Sequence, residues 1–220
     1  MADMRLVEVI MQRMKPIDIE KRSFEIISEE LSEIQINEQN APVLKRVIHT
    51  TADFEYVDNL CFSEDVVKKA IDYLKNGACI VTDTQMAKSG INKAALNRCR
   101  CEVRCFMSDE DVATKAKEEG VTRAAVSMRK AATIDKPLVI AVGNAPTALI
   151  ELDKLVKYGD ISPKLIIGVP VGFVNVVESK ELIMKAGIPY IVARGRKGGS
   201  NVAAAIVNAL LYLASPREEE

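Results

Sequence analysis

The chain of 220 residues has one histidine, almost no net charge, and no apolar run approaching the roughly 20 residues that span a bilayer. Each shortage excludes something. With 30 basic and 31 acidic side chains, the formal charge is -1, so there is no basic excess of the kind a nucleic-acid partner requires. A local cluster of cations can still hold a small polyanion. No membrane span is expected. Residues Met1 to Met14 mix Asp3, Arg5, Glu8 and Arg13 with their apolar residues, which leaves no continuous signal-peptide core. Cysteine is odd in number, at Cys61, Cys79, Cys99, Cys101 and Cys105, which fits reduced thiols better than a disulfide framework. These features read as a soluble cytoplasmic protein. Cys101 and Cys105 are expected on one alternating strand, and neither a second Cys-x-x-Cys nor a His pair completes a tetrahedral zinc site, so no protein-bound metal is expected. Walker A spacing, the dinucleotide fingerprint and a nucleophile-elbow serine are also missing.

What is present reads as one α/β domain with a sizeable core, at 48% apolar and 28% charged residues. The helical part is expected over about 17–76. After Pro16, Phe24, Ile27, Leu31 and Ile34 recur at spacings of three and four. A second helix after Asn40 tolerates Pro42 in its first turn and carries Leu44, Val47, Ile48 and Thr51 on one stripe. Ser63 is the expected cap of a third, which Gly77 ends. A parallel α/β part is expected over about 77–214. Short apolar runs at 78–82, 137–142, 164–169 and 188–192 read as buried strands, and 102–106 alternates as an edge strand. Ser108 with Asp111 resembles a capping box for a helix that stops at Gly120. The expectation is a three-layer parallel sheet of about five strands between helices. The last helix, 201–213, is apolar on more than one face, so it is sandwiched in the core or forms a subunit interface. Residues 216–220 read as a frayed tail.

Ligands of open parallel sheets bind beyond the strands' carboxyl ends. Four loops there stand out: Thr82-Asp-Thr-Gln-Met86, Gly143-Asn-Ala-Pro-Thr147, Gly168-Val-Pro-Val-Gly-Phe-Val174 and Arg194-Gly-Arg-Lys-Gly-Gly-Ser200. The last sets three cations beside glycines that let backbone amides approach a ligand, at the start of a helix whose dipole favours anions. It reads as an anion site or as a basic turn. Asn144 is a plausible N-cap and Pro146 a first-turn residue. His49 is either a packed rim histidine or a general acid–base group, since imidazole changes charge near neutral pH.

Taken together, Arg46-Val-Ile-His-Thr50, Gly143-Asn-Ala-Pro-Thr-Ala-Leu149, Gly168-Val-Pro-Val-Gly-Phe-Val174 with Glu178-Ser-Lys180, and Arg194-Gly-Arg-Lys-Gly-Gly-Ser200 resemble the precorrin-8X methylmutase family, including the cobalt-precorrin-8 methylmutases. The likeness runs from Ser23-Phe24 past Ser200. It implies a flavodoxin-like fold, a homodimer and an isomerase of cobalamin biosynthesis that shifts a methyl group from ring carbon 11 to 12 of the tetrapyrrole (cobalt-)precorrin-8, giving hydrogenobyrinate or, with cobalt, cobyrinate. No cofactor is implied, and any cobalt belongs to the substrate. The family's histidine falls on His49 as the acid. Its substrate-contacting serine and arginine fall on Ser23 and Arg123, and Asn92 replaces a family threonine. Asn144, Gly172, Arg194 and Arg196 are further expected substrate contacts, with Lys197 beside them and Pro170, Val171 and Phe173 lining the cleft. A tetrapyrrole carrier without turnover, or a nucleotide-binding regulatory domain built on 194–200, are the rival readings.

Overall fold

The structure is a computed structural model that describes residues 15–216. The readings made on Met1 to Met14, and on the tail at 217–220, lie outside the described residues. The chain divides into two units at the Ile36–Asn37 boundary. The first contains helix α1, Pro16–Glu30, with Ile27 and Leu31 buried. The helix stops before Ile34, which is exposed rather than part of the apolar stripe.

The second unit is built on a sheet of six strands in the order β1-β6-β5-β4-β2-β3. These are β1 (Leu60–Phe62), β2 (Cys79–Thr82), β3 (Glu102–Arg104), β4 (Leu138–Val142), β5 (Leu165–Gly168) and β6 (Tyr190–Ala193). Strands β2 to β6 run parallel, and their order is the doubly wound flavodoxin order. Every residue of β2, β4 and β5 is buried, as expected of strands covered on both faces.

The helices are α2 (Ala41–Thr51), α3 (Tyr56–Asn59), α4 (Val66–Lys75), α5 (Gln85–Gly90), α6 (Lys93–Arg98), α7 (Glu110–Glu119), α8 (Arg123–Ala131), α9 (Pro146–Tyr158), α10 (Val176–Met184) and α11 (Ser200–Ala214). Helix α11 contacts α2, α4, α5, α6 and strands β4 and β5, and buries Val202 to Val207 without a break. Its all-round apolarity is therefore explained by a sandwiched position. A second layer packs α7 on α8, α8 on α9 and α9 on α10. Its core joins Phe106, Val112, Met128, Leu149, Leu152 and Ile183 to Val81, Ile140, Ile166 and Val192 of the sheet.

Local expectations fail where tertiary partners intervene. Leu60–Phe62 lies in the stretch expected to be helical, yet pairs antiparallel with β6. That pairing claims Ser63, whose Oγ accepts from the Tyr190 N–H at 2.9 Å, so Asp65 rather than Ser63 precedes α4. Cys101 and Cys105 flank β3 instead of both lying on it. The Ser108–Asp111 box does not form. Asp109 starts α7, and Asp109 and Asp111 both accept from Lys130 Nζ of α8 at 2.7 Å.

Candidate active site

Because β2, β4, β5 and β6 are parallel, their carboxyl ends share one edge, and buried polar groups tie the loops there together. Asp83, directly after β2, is fully buried. Its carboxylate accepts from the N–H groups of Gly143 at 2.8 Å, Asn144 at 2.9 Å and Ala145 at 2.6 Å. The order of the sheet reverses between β2 and β4, so this carboxylate bridges the switch point. An amide nest ahead of a helix ordinarily attracts an external anion. Here the chain's own carboxylate fills it. Burial pushes the Asp83 carboxyl up, while the three amide donors pull the other way. Asn144 is thus not the cap of α9: Ala145 takes that position, and the Asn144 side chain is exposed. Across the same edge, Thr84 Oγ1 accepts from the Ala87 N–H to cap α5 and lies 2.8 Å from Ser200 Oγ.

The loop from Arg194 to Gly199 is held at several points. The Arg194 N–H donates to the Asn59 carbonyl at 2.7 Å, and the Gly199 N–H to the Val169 carbonyl at 2.8 Å. Gly172, at φ 145°, donates its N–H to the Arg196 carbonyl at 3.2 Å. Gly198 has φ 155°, and a Cβ there would sit 2.1 Å from the Val169 carbonyl oxygen. Gly198→Ala is therefore expected to cost at least about 1–3 kcal/mol in strain alone, measurable by urea unfolding. Beneath the loop, Lys180 of α10 is fully buried, and its Nζ donates to the carbonyls of Gly195 and Lys197, each at 2.8 Å. Burial pulls the Lys180 ammonium down to about 8. An unfolded lysine keeps its proton to about 10.4, so from about pH 8 to 10 the unfolded chain binds more protons and stability rises with pH. Denaturant titrations over that window should show the rise in the native chain and its loss in Lys180→Met.

Lys197 Nζ lies 2.6 Å from the Asp53 carboxylate and 2.8 Å from that of Glu55. The ammonium pulls the Asp53 carboxyl down, and the carboxylates push Lys197 up. Lys197 is therefore tied to two carboxylates of the segment after α2. The tie draws the segment after α2 onto the 194–199 loop, with His49 half-buried in the last turn of α2. Arg46, three residues earlier, sits with its guanidinium 5.3 Å from the Tyr212 ring of α11. Arg194 Nε lies 3.1 Å from Glu181, and the Arg196 guanidinium lies 5.4 Å from the centre of the Phe173 ring. Phe173 and Val174 are exposed and Val171 is about half exposed, forming an apolar rim, whereas Pro170 is buried beneath it.

The other expected residues each have local partners of their own. Arg123 opens α8 at a shallow cleft shared with Lys117 and Val121. Thr122, its cap, donates to Thr147 Oγ1 at 2.9 Å, which ties that helix start to the segment after β4. Asn92 caps α6 by accepting from the Ala95 N–H at 2.9 Å, and its own N–H donates to Asn208 at 2.8 Å. Ser23 lies in the first unit, where its Oγ donates to the Ile19 carbonyl at 2.9 Å. Among the described residues, no group of three or more His, Cys, Asp and Glu side chains is placed to hold a metal ion, and no helix is long and apolar enough to cross a membrane. Sequence reasoning gave no role to Asp83 or Lys180. Asp83 is 60 residues from its first partner and Lys180 is 15 from its own, so no local spacing marks either.

An edge of this kind, with exposed arginines and apolar side chains above a tied floor, is where open parallel α/β folds bind their ligands. Residues 18–213 match the precorrin-8X methylmutase family; the chain belongs to that family and is an isomerase of cobalamin biosynthesis. It is 45% identical over 210 residues to the cobalt-precorrin-8 methylmutase of Leptospira interrogans, covering 92% of this chain and 96% of that one. The precorrin-8X methylmutase of Pseudomonas aeruginosa is 38% identical over 194 residues, covering 87% and 93%. The crystal structure of precorrin-8X methylmutase from Thermus thermophilus superposes with a TM-score of 0.82 at 36% identity, covering 90% of this chain and 97% of that chain.

Proposed function

We propose that this chain moves a methyl group from ring carbon 11 to ring carbon 12 of a precorrin-8 macrocycle, with His49 as the acid that assists. The observation that carries the reading is the Lys197 tie to Asp53 and Glu55, which joins the segment just past the helix of the lone histidine to the arginine-bearing loop. In a 1,5-sigmatropic shift the methyl–C11 bond breaks as the methyl–C12 bond forms, and the conjugated π electrons move in step. The product is an isomer, so the reaction balances with no redox cofactor. A proton given to the macrocycle by His49 withdraws electron density and lowers the barrier. Arg194, Arg196 and Arg123 hold acetate and propionate carboxylates of the ring periphery, as guanidiniums do well. The ring face lies on Val171 and Phe173, beside Gly172, and Asn92 and Asn144 complete the contacts.

The reading favours a cobalt-bearing substrate, because the relatives named for it in Leptospira interrogans and Priestia megaterium are 45% and 43% identical, against 38% for the Pseudomonas aeruginosa precorrin-8X enzyme. The ion then belongs to the substrate. The enzyme works as a homodimer in the cytoplasm, and light scattering on the purified protein tests the dimer. The function is tested by supplying metal-free and cobalt-loaded precorrin-8 in large excess and following the absorbance change. Many turnovers per chain are expected, faster with cobalt. A change that stops at one equivalent would make the chain a tetrapyrrole carrier instead.

A further inference from the structure

The loop that carries Arg194 and Arg196 has its inner side on a buried cation. Lys180 reaches it from the second turn of α10, and no part of its side chain meets solvent. Its Nζ bonds two carbonyls of the loop, those of Gly195 and Lys197, spaced two residues apart and each 2.8 Å away. Bonding both at once fixes the Gly195–Arg196 and Lys197–Gly198 peptide units, which bracket Arg196 and Lys197, and so restrains the backbone from which the Arg196 side chain leaves the loop. A lysine taken wholly out of water is costly unless its protons are shared out among acceptors. An apolar side chain of the same length would fill the space without that cost, so packing alone does not account for an amine here.

We propose that Lys180 is a positioning residue for the reaction: by bridging the Gly195 and Lys197 carbonyls it fixes the loop bearing Arg194 and Arg196 and adds a positive charge beneath it, thereby setting affinity for a polycarboxylate ring rather than the speed of methyl migration. This rests on the reading of the strand-end edge as a tetrapyrrole site. The charge carries part of the effect because a neutral amine keeps two N–H donors but no longer attracts the ring carboxylates. Lys180 gives up its proton at about pH 8. Of the other charged groups near the loop, Lys197 is held above the ordinary lysine range by Asp53 and Glu55. On α10, Glu181 is paired with Arg194 and Glu178 is exposed. On the neighbouring α9, Glu151 and Asp153 are paired with Arg129 and Lys157.

The test measures hydrogenobyrinate binding by fluorescence or absorbance titration, together with kcat and KM, in the full-length chain and in Lys180→Met, with far-UV circular dichroism as the check on folding. Lys180→Met is expected to weaken binding and raise KM by on the order of tenfold, as loss of a charge-assisted contact does, with kcat nearly unchanged. A folded Lys180→Met that binds hydrogenobyrinate as tightly as the native chain overturns the proposal, and so does one whose loss is all in kcat. If Lys180→Met does not fold, binding to His49→Ala is followed from pH 7 to 9.5, which removes any contribution of the imidazole. Affinity that weakens severalfold through about pH 8 supports the role of Lys180, and affinity flat across that range overturns it. A native chain that binds no hydrogenobyrinate at any pH would instead defeat the tetrapyrrole reading itself, a separate outcome.

Discussion

His49→Ala is expected to bind tetrapyrrole about as tightly as the native chain and to lose about 10²–10⁴ of its turnover, the usual worth of general-acid help. In free energy that is about 3–5 kcal/mol off transition-state stabilisation. The split follows from where His49 sits. It occupies the end of α2, while the 194–199 loop is held by contacts from Lys180, Val169 and Asn59. Loss of kcat with KM unchanged identifies an interaction made only in the transition state. The measurement is steady-state turnover beside a hydrogenobyrinate titration. Near-normal turnover by the variant would remove His49 from the mechanism.

The largest structural effect is expected from Asp83→Ala. The substitution leaves the N–H groups of Gly143, Asn144 and Ala145 without their acceptor at the switch point of the sheet. Stranding the partners of a buried charge costs about 3–5 kcal/mol, which for a chain of this size lowers Tm by roughly 6–20 °C. Asp83→Asn should recover only part of this, because one carboxamide oxygen replaces two carboxylate oxygens and its NH2 meets donors. Thermal unfolding of the three proteins checks the order. The same carboxylate bears on ligand choice. By filling the amide nest between β2 and β4, it repels a phosphate from the place where a flavodoxin-order sheet would otherwise receive one. Nucleotides are therefore expected to give no thermal shift, which counts against a nucleotide-binding regulatory domain.

The parts of the fold written in local periodicity were legible. The continuous apolar runs of β2, β4 and β5 and the stripe Leu44, Val47 and Ile48 of α2 announce themselves because burial on a fixed face forces a fixed period. What was not legible depends on partners distant in sequence. Leu60–Phe62 is too short to show a period, and its partner β6 lies about 130 residues on, so the strand hid inside a stretch read as helical. Ser63 looked like a cap because serine's local options include one. The ladder to Tyr190 outcompeted it. At the site, glycine and arginine beside a helix start marked the 194–199 loop from sequence alone. Lys197 was grouped with those arginines as a substrate cation, yet two carboxylates from the far end of the chain engage it. Spacing shows which charges exist, and only the fold shows which of them are already matched.

The central claim is that the macrocycle lies over the carboxyl ends of the strands with His49 against it. A crystal structure of the chain with hydrogenobyrinate bound tests this most directly. The account predicts ring carboxylates on Arg194 and Arg196, the ring face on Val171 and Phe173, and the His49 imidazole within hydrogen-bond reach of the ring. A ring bound away from this edge, with His49 out of reach, would contradict it.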